Sequence, residues 1–285
     1  MTIDTDFLEE LNHFNLVLKK KVLSQYQGSR ESQSLGQGLL FKDFREYVLG
    51  DDIRHIDWKA YARTNKYFIR EFEEERNLIL RVIIDRSKSM DFGTPKKKFE
   101  YGAMLGLGLG YLAHKNNEKF EISTFANDLQ VFRPQKSRAR LVTVLNHLGG
   151  LKIDGQSDLR SCLYQYEGLI KSKSLLVIVS DFLFDIKEIR ESLHRIKKND
   201  VVIIQILDPS ELHLSLYGNM FLKDSESDFS IKTFISSRFR SRYLHELDHH
   251  TGQIQEACES LGMRFFRFST QEPVFEAFVK LMNIA

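Results

Sequence analysis

Long apolar runs are missing from this chain. No stretch approaches the ~18 consecutive apolar residues that a bilayer-spanning helix needs, and the longest candidate, Ala103 to Ala113, is short and interrupted by glycine. No membrane span is therefore expected. An excess of charge is missing too: 41 basic against 39 acidic residues leave a net charge of +2, which removes any bulk attraction to nucleic acid or an anionic membrane. Four prolines in 285 residues argue against long disordered linkers. Cysteine is limited to Cys162 and Cys258, both in segments of helical spacing. Buried free thiols and a reducing, cytoplasmic setting are the expectation. The first ten residues hold four acids and no apolar core, unlike a secretory leader. What remains is ordinary for a globular protein: 42% hydrophobic and 28% charged residues, on a chain long enough for a substantial core and one or two domains.

The strongest pattern runs from Leu78 to Ser89. Leu78 to Ile84 is apolar and rich in β-branched residues, broken once by Arg81, as suits a strand covered on both faces. From there strands and helices alternate. Strands are predicted over Leu78–Asp85, Ser174–Ser180, Val201–Leu207 and Met263–Phe268, with a short pair, Phe120–Phe125 and Leu129–Phe132, around Asn127-Asp128. Helices are predicted over Lys96–His114, Ser137–Leu148, Leu159–Ile170, Asp185–Lys197, Tyr243–Ser260 and Pro273–Met282, and a small hairpin flanks Asp224–Asp228. Such alternation means a parallel sheet with helices on both faces. Upstream, Thr5 to Gln25 has helical spacing. Leu39 to Glu75 mixes charges and aromatics without a clear period; Trp58, Tyr47 and Phe44 are read as core there, with Arg45, Arg54 and Arg63 paired to Asp51, Asp52 and Asp57.

In open parallel sheets ligands sit at the carboxyl ends of strands. Two strands here end in aspartate, Asp85 and Asp181. Asp85, Ser87 and Ser89 place oxygen side chains at every second position, and Asp154 to Asp158 adds a loop that contains Ser157. Carboxylates and hydroxyls without His or Cys select Mg2+, Mn2+ or Ca2+ over zinc.

Asp85-Arg-Ser87-Lys-Ser89, Ser157 and Asp181 together resemble the metal-ion-dependent adhesion site of von Willebrand factor A domains, with Ser157 where that family has threonine. The resemblance implies Ser87 and Ser89 on the metal directly and Asp85 and Asp181 mainly through water. It implies Ser157 as a ligand that joins according to conformational state, and one coordination position open to an acidic residue of a partner. Farther upstream, Gly36-x-Gly38-Leu-x-Phe, Arg45-Glu-Tyr, Gly50-Asp-Asp-x-Arg54-x-Ile-Asp57-Trp58, Ala62-Arg63 and Arg70-x-Phe-x-x-Glu75 are similar to the bacterial domain of unknown function 58 family. That family implies a von Willebrand A-like (Rossmann-like), mostly parallel sheet flanked by helices, spanning residues 76–285, behind an N-terminal helical or irregular segment, 1–75, packed on it. It also implies partner binding, as an adaptor or chaperone-like protein whose genes often lie beside those of MoxR-type AAA+ ATPases and other von Willebrand A proteins, and the open coordination position points to metal-assisted protein binding without catalysis.

Other signals compete. His245-Glu-x-x-His249 matches the zinc-peptidase string, but Gln255 stands where the longer form has its third histidine, and Asp248 adds a charge. Asp85 as the nucleophile of a Mg2+-dependent hydrolase lacks the second acid two residues on, where Ser87 stands. Gly102, Gly106 and Gly110 recur every four residues within a predicted helix, which suits close packing on the sheet and not a nucleotide loop. Arg238, Arg240 and Arg242 around Phe239 are read as a solvated helix start or a protein contact and not as a nucleic-acid site.

Overall fold

The computed structural model describes residues 40–48, 51–53, 56–73, 79–132, 138–214, 216, 218–223 and 230–283. The helix expected over Thr5–Gln25 and the motif positions Gly36, Gly38, Gly50, Arg54 and Glu75 lie outside them. The described residues fall into two compact units, 40–73 and 79–283.

The smaller unit is a hairpin with a helix in its connection. Strand β1 (Leu40–Glu46) pairs antiparallel with β2 (Phe68–Glu73), with a register shift between Phe41 and Asp43. Between them α1 (Trp58–Thr64) starts at Asp57, whose carboxylate accepts from the amides of Lys59 and Ala60, and stops at Asn65 in the left-handed conformation. Neither strand announces itself in the sequence. Their residues mix charges and aromatics where a half-buried strand shows alternation. Arg45 pairs with Asp51 at 3.0 Å, as expected. Trp58 corrects the expectation of a core residue: it is 61% exposed, because it is the first residue of a short helix whose described side chains are none of them buried. Tyr61 stacks on Tyr67 at 4.6 Å, and Trp58 stands edge-on to Tyr61.

The larger unit is built on six strands. In chain order these are β3 (Ile79–Asp85), β4 (Lys119–Phe125), β5 (Leu129–Gln130), β6 (Leu175–Ser180), β7 (Asp200–Leu207) and, after the separate hairpin β8 (Gly218–Lys223) and β9 (Ser230–Ile235), β10 (Arg264–Ser269). They lie in the order β10-β7-β6-β3-β4-β5, all parallel except β5. Counted along the chain this is the doubly wound order 3-2-1-4-5-6, whose direction reverses between β3 and β6. The expected α/β architecture, a mostly parallel sheet flanked by helices, is what the structure has.

Helices cover both faces. One face carries α2 (Lys98–Lys115), α3 (Arg138–Gly150) and α8 (Val274–Asn283); the other carries α4 (Leu159–Glu167), α5 (Ile186–Ile196) and α7 (Ser237–Ser260). A short α6 (Pro209–His213) follows β7, and the Asp208 carboxylate caps it. α7 begins at Ser237, six residues before the expected start, because Ser236 caps it by accepting from the Phe239 amide. That places Arg238, Arg240 and Arg242 on its exposed first turns. The glycines of α2 do what their spacing suggested. A Cβ on Gly106 would stand 2.8 Å from Ile84 Cδ1, and one on Gly102 would stand 3.1 Å from Val179 Cγ1, so their absence of side chain lets the helix settle on β3 and β6.

Arg81, the one charge in the β3 run, is buried and lies in register with Glu121 of β4. Its guanidinium donates to Glu121 at 2.8 Å and to Ser174 Oγ at 3.2 Å, and the Tyr166 hydroxyl donates to the other Glu121 oxygen. The charge that breaks the apolar pattern is thus one half of a buried cross-strand pair.

Candidate functional site: an oxygen cluster at the sheet's switch point

Because strand order reverses between β3 and β6, the loops after these strands diverge and leave a crevice beyond their carboxyl ends. Asp85 closes β3 and Asp181 follows the last residue of β6. The two aspartates picked out in the sequence are therefore neighbours in space.

Asp85 is fully buried and holds the cluster together. Its Oδ1 accepts from the Ser87 amide at 2.8 Å, and its Oδ2 accepts from the hydroxyls of Ser180 at 2.7 Å and Ser157 at 3.1 Å. Ser87 and Ser89 lie with their hydroxyl oxygens 3.0 Å apart. Asp85, Ser87, Ser89 and Ser157 are thus brought together by direct hydrogen bonds. Ser87 is buried, whereas Ser89 and Ser157 are half-exposed, so the cluster has an open side. The loop that carries Ser157 is pinned to the loop after β3: the Lys88 amide donates to the Gly155 carbonyl at 2.9 Å. Gly155 has φ +98°, a conformation glycine takes without strain. The two cations within the motif are turned aside, since Arg86 pairs with Asp128 and Lys88 is exposed.

Asp181 is held differently. Its Oδ2 is 2.8 Å from the ammonium of Lys98, and its Oδ1 accepts from the Leu183 amide at 3.3 Å. Lys98 bonds Glu211 at the same 2.8 Å. Burial, and then the Asp181 charge, push the Asp85 carboxyl up to about 7. Burial also raises Glu211 above the ordinary carboxylate value, against the pull of Lys98. Burial pulls Lys98 down, but the Asp181 and Glu211 carboxylates outweigh it and hold the ammonium above its usual value. Three buried or partly buried carboxyls against one ammonium leave negative charge for a proton or a metal cation to neutralise.

The donors present fit a hard cation. Asp85, Ser87, Ser89 and Ser157 offer carboxylate and hydroxyl oxygens, the set that suits Mg2+, Mn2+ or Ca2+. No group of three or more His, Cys, Asp or Glu side chains arranged to hold a metal occurs among the described residues; this cluster relies on hydroxyls instead. His245 and His249 are both exposed on α7. Both oxygens of Asp85 are engaged by the serines. A groove of about 700 Å3 lies beyond the ends of β7 and β10, lined by Phe92, Thr94, Asp208, Ser210, His213 and Gln271 among others. None of the five expected site residues lines it, and the hydrogen-bonded cluster is the better marker of the chemistry.

Sequence reasoning missed Ser180, Lys98 and Glu211 as parts of this network. Lys98 lies in a run of three lysines that reads as solvated surface. Glu211 was legible only as the third residue of a capping box begun by Asp208, with its Oε2 accepting from the Asp208 amide. Gln205 did carry a signal, as a lone amide in an otherwise apolar strand. It donates to the Asp181 carbonyl at 2.9 Å and accepts from Thr251.

The family model "Protein of unknown function DUF58" matches residues 43–253. The chain belongs to this family. Relatives include "Uncharacterized protein Mb1516" of Mycobacterium bovis and "Uncharacterized protein Rv1480" of Mycobacterium tuberculosis. Each is 25% identical over 256 residues, which is 86% of this chain and 80% of theirs. Solved structures to which this member of the family is similar include the conserved hypothetical protein BatB from Bacteroides thetaiotaomicron, at 11% identity and TM-score 0.45, over 73% of this chain and 100% of that one. The SpRpn10 VWA domain is similar at 14% identity and TM-score 0.44, over 73% and 96%.

Proposed function

We propose that this DUF58 protein is a protein-binding adaptor or chaperone-like factor that takes hold of its partner through a divalent cation, Mg2+ or else Mn2+ or Ca2+, at the switch point of its sheet. The observation that carries the reading is the convergence of Asp85, Ser87, Ser89 and Ser157 into one hydrogen-bonded oxygen cluster in which two of the serines, Ser89 and Ser157, are only partly buried. Ser87 and Ser89 would hold the ion directly. Asp85 and Asp181 would act from behind, Asp85 by orienting the hydroxyls of Ser157 and Ser180 that it already binds. When bound, the ion supplies a compact positive charge with a position open to a partner's carboxylate. The partner chemistry is therefore an acidic side chain on a protein surface, and the favoured partner is a MoxR-type AAA+ ATPase, with other von Willebrand A proteins as further candidates. Binding of this kind requires no catalytic group in the chain itself.

The test is a pull-down of the ATPase by the full-length protein in Mg2+ and in EDTA, repeated with Asp85→Ala. Retention in Mg2+ and loss in both other conditions is the expected pattern. Retention unchanged by EDTA and by Asp85→Ala in a folded protein would show that no metal bridges the two.

A further inference from the structure

Lys98 is out of place by two ordinary rules. A lysine is seldom fully buried unless paired, and the start of a helix disfavours a cation. Yet Lys98 is 1% exposed at the first position of α2. Its ammonium sits 2.8 Å from Asp181 Oδ2 and 2.8 Å from Glu211 Oε1, and 5.8 Å from the centre of the Phe92 ring. Both acceptors are themselves tied down. The Leu183 amide holds the second Asp181 oxygen, and the Asp208 amide holds the second Glu211 oxygen at 2.8 Å. Gln205 fixes the Asp181 carbonyl. The ammonium therefore has a built seat, and one wall of that seat is Asp181, whose charge is felt by Asp85 of the oxygen cluster.

We infer that Lys98 is a positioning residue whose tethered ammonium serves as the resident counter-ion of Asp181, and so weakens the site's hold on a divalent cation. The inference rests on the metal reading proposed above. Two cations that share one carboxylate compete for it, and in a buried setting that competition is strong. With Asp181 bound to Lys98, an ion at Ser87 and Ser89 has only Asp85 as a carboxylate not shared with that ammonium. The ion is then held loosely enough to come and go, and a partner's carboxylate would do much of the work of retaining it. Removing the ammonium frees Asp181 to face the ion, and affinity rises.

Mn2+ titrations of the full-length protein by calorimetry test this, in wild type, Lys98→Met, Lys98→Gln and Asp85→Ala, each checked for fold by circular dichroism. Lys98→Met is expected to bind Mn2+ at least tenfold more tightly than wild type, a direction that mere structural damage would not give. Where Lys98→Met does not fold, Lys98→Gln, which keeps a hydrogen-bonding head without the charge, is read in its place with the same expectation. Binding seen in the Lys98 variant but not in wild type supports the inference equally. Equal or weaker binding in a folded Lys98 variant, with wild-type binding abolished by Asp85→Ala, overturns the role of Lys98 and leaves the metal site standing. No binding in either wild type or a folded Lys98 variant overturns both.

Discussion

Individual carboxylates in this protein differ in how burial and neighbouring charge balance against hydrogen-bond donors. Asp208 is buried after β7 and accepts from the amide and hydroxyl of Ser210 and from Thr270 Oγ1. Burial alone would raise its carboxyl, but these donors outweigh it and hold the group below its ordinary value of 3.8. A carboxylate with a depressed folded value stabilises the protein above the unfolded value, and the contribution is lost as pH falls through the folded one. Stability should therefore drop as pH falls below about 4, where unfolded carboxylates take up protons. Urea unfolding at pH 6 and pH 3 checks it: Asp208→Asn should be less stable than wild type at pH 6, and should lose less between the two. Asp85 stands at the opposite extreme, pushed up by burial beside Asp181. Its position is readable in the sequence as the end of an apolar strand followed by alternating serines. Lys98 was not readable, because the pairing that makes its burial tolerable comes from residues 83 and 113 positions away.

Between elements, register decides what a sequence pattern leaves open. Arg81 and Glu121 look like flaws in two apolar strands until β3 and β4 are aligned and the two become direct partners. Breaking a buried pair on one side leaves an uncompensated charge and costs about 3–5 kcal/mol, whereas replacing both partners by apolar residues is often close to neutral. Arg81→Met should thus destabilise by about 3 kcal/mol or more, while Arg81→Met with Glu121→Leu should recover much of that loss, less the hydrogen bond given up by Tyr166. Denaturant midpoints of the single and double variants measure it, and a double variant no more stable than the single would show that the network acts as a unit. The β1–β2 hairpin illustrates the reverse difficulty. Its strands carry no period-2 signal, and only pairing reveals them. For α2 the four-residue glycine spacing told the packing in advance, since a helix face without side chains suits close approach to a sheet.

For the larger unit as a whole, the two cysteines report on cooperativity. Cys162 on α4 and Cys258 on α7 are both free and buried in the same core on one face of the sheet. Burial pushes each thiol up to about 12. A thiol reagent at pH 8 should therefore react with neither until the unit unfolds, and urea should release both with one midpoint. Two separated midpoints would mean that α4 and α7 detach independently. The same values imply that stability falls as pH rises from about 9 toward 12, because unfolded thiols ionise there while folded ones stay protonated. Among the described residues, no helix is long and apolar enough to cross a membrane.

By itself the sequence determined the order of the central sheet's strands and of the six longer helices around it, the mostly parallel sheet they form, and the candidate residues Asp85, Ser87, Ser89, Ser157 and Asp181. Those are local properties: periodicity, β-branched runs, capping residues and short oxygen-bearing side chains at strand ends. Only the tertiary structure decided which of these residues share hydrogen bonds, that Asp85 anchors Ser157 and Ser180, and that Asp181 belongs to Lys98 and Glu211. Those are matters of charges meeting across a folded sheet. A buried ammonium is tolerable only where distant carboxylates converge on it, and nothing along the chain marks that convergence before the chain has folded.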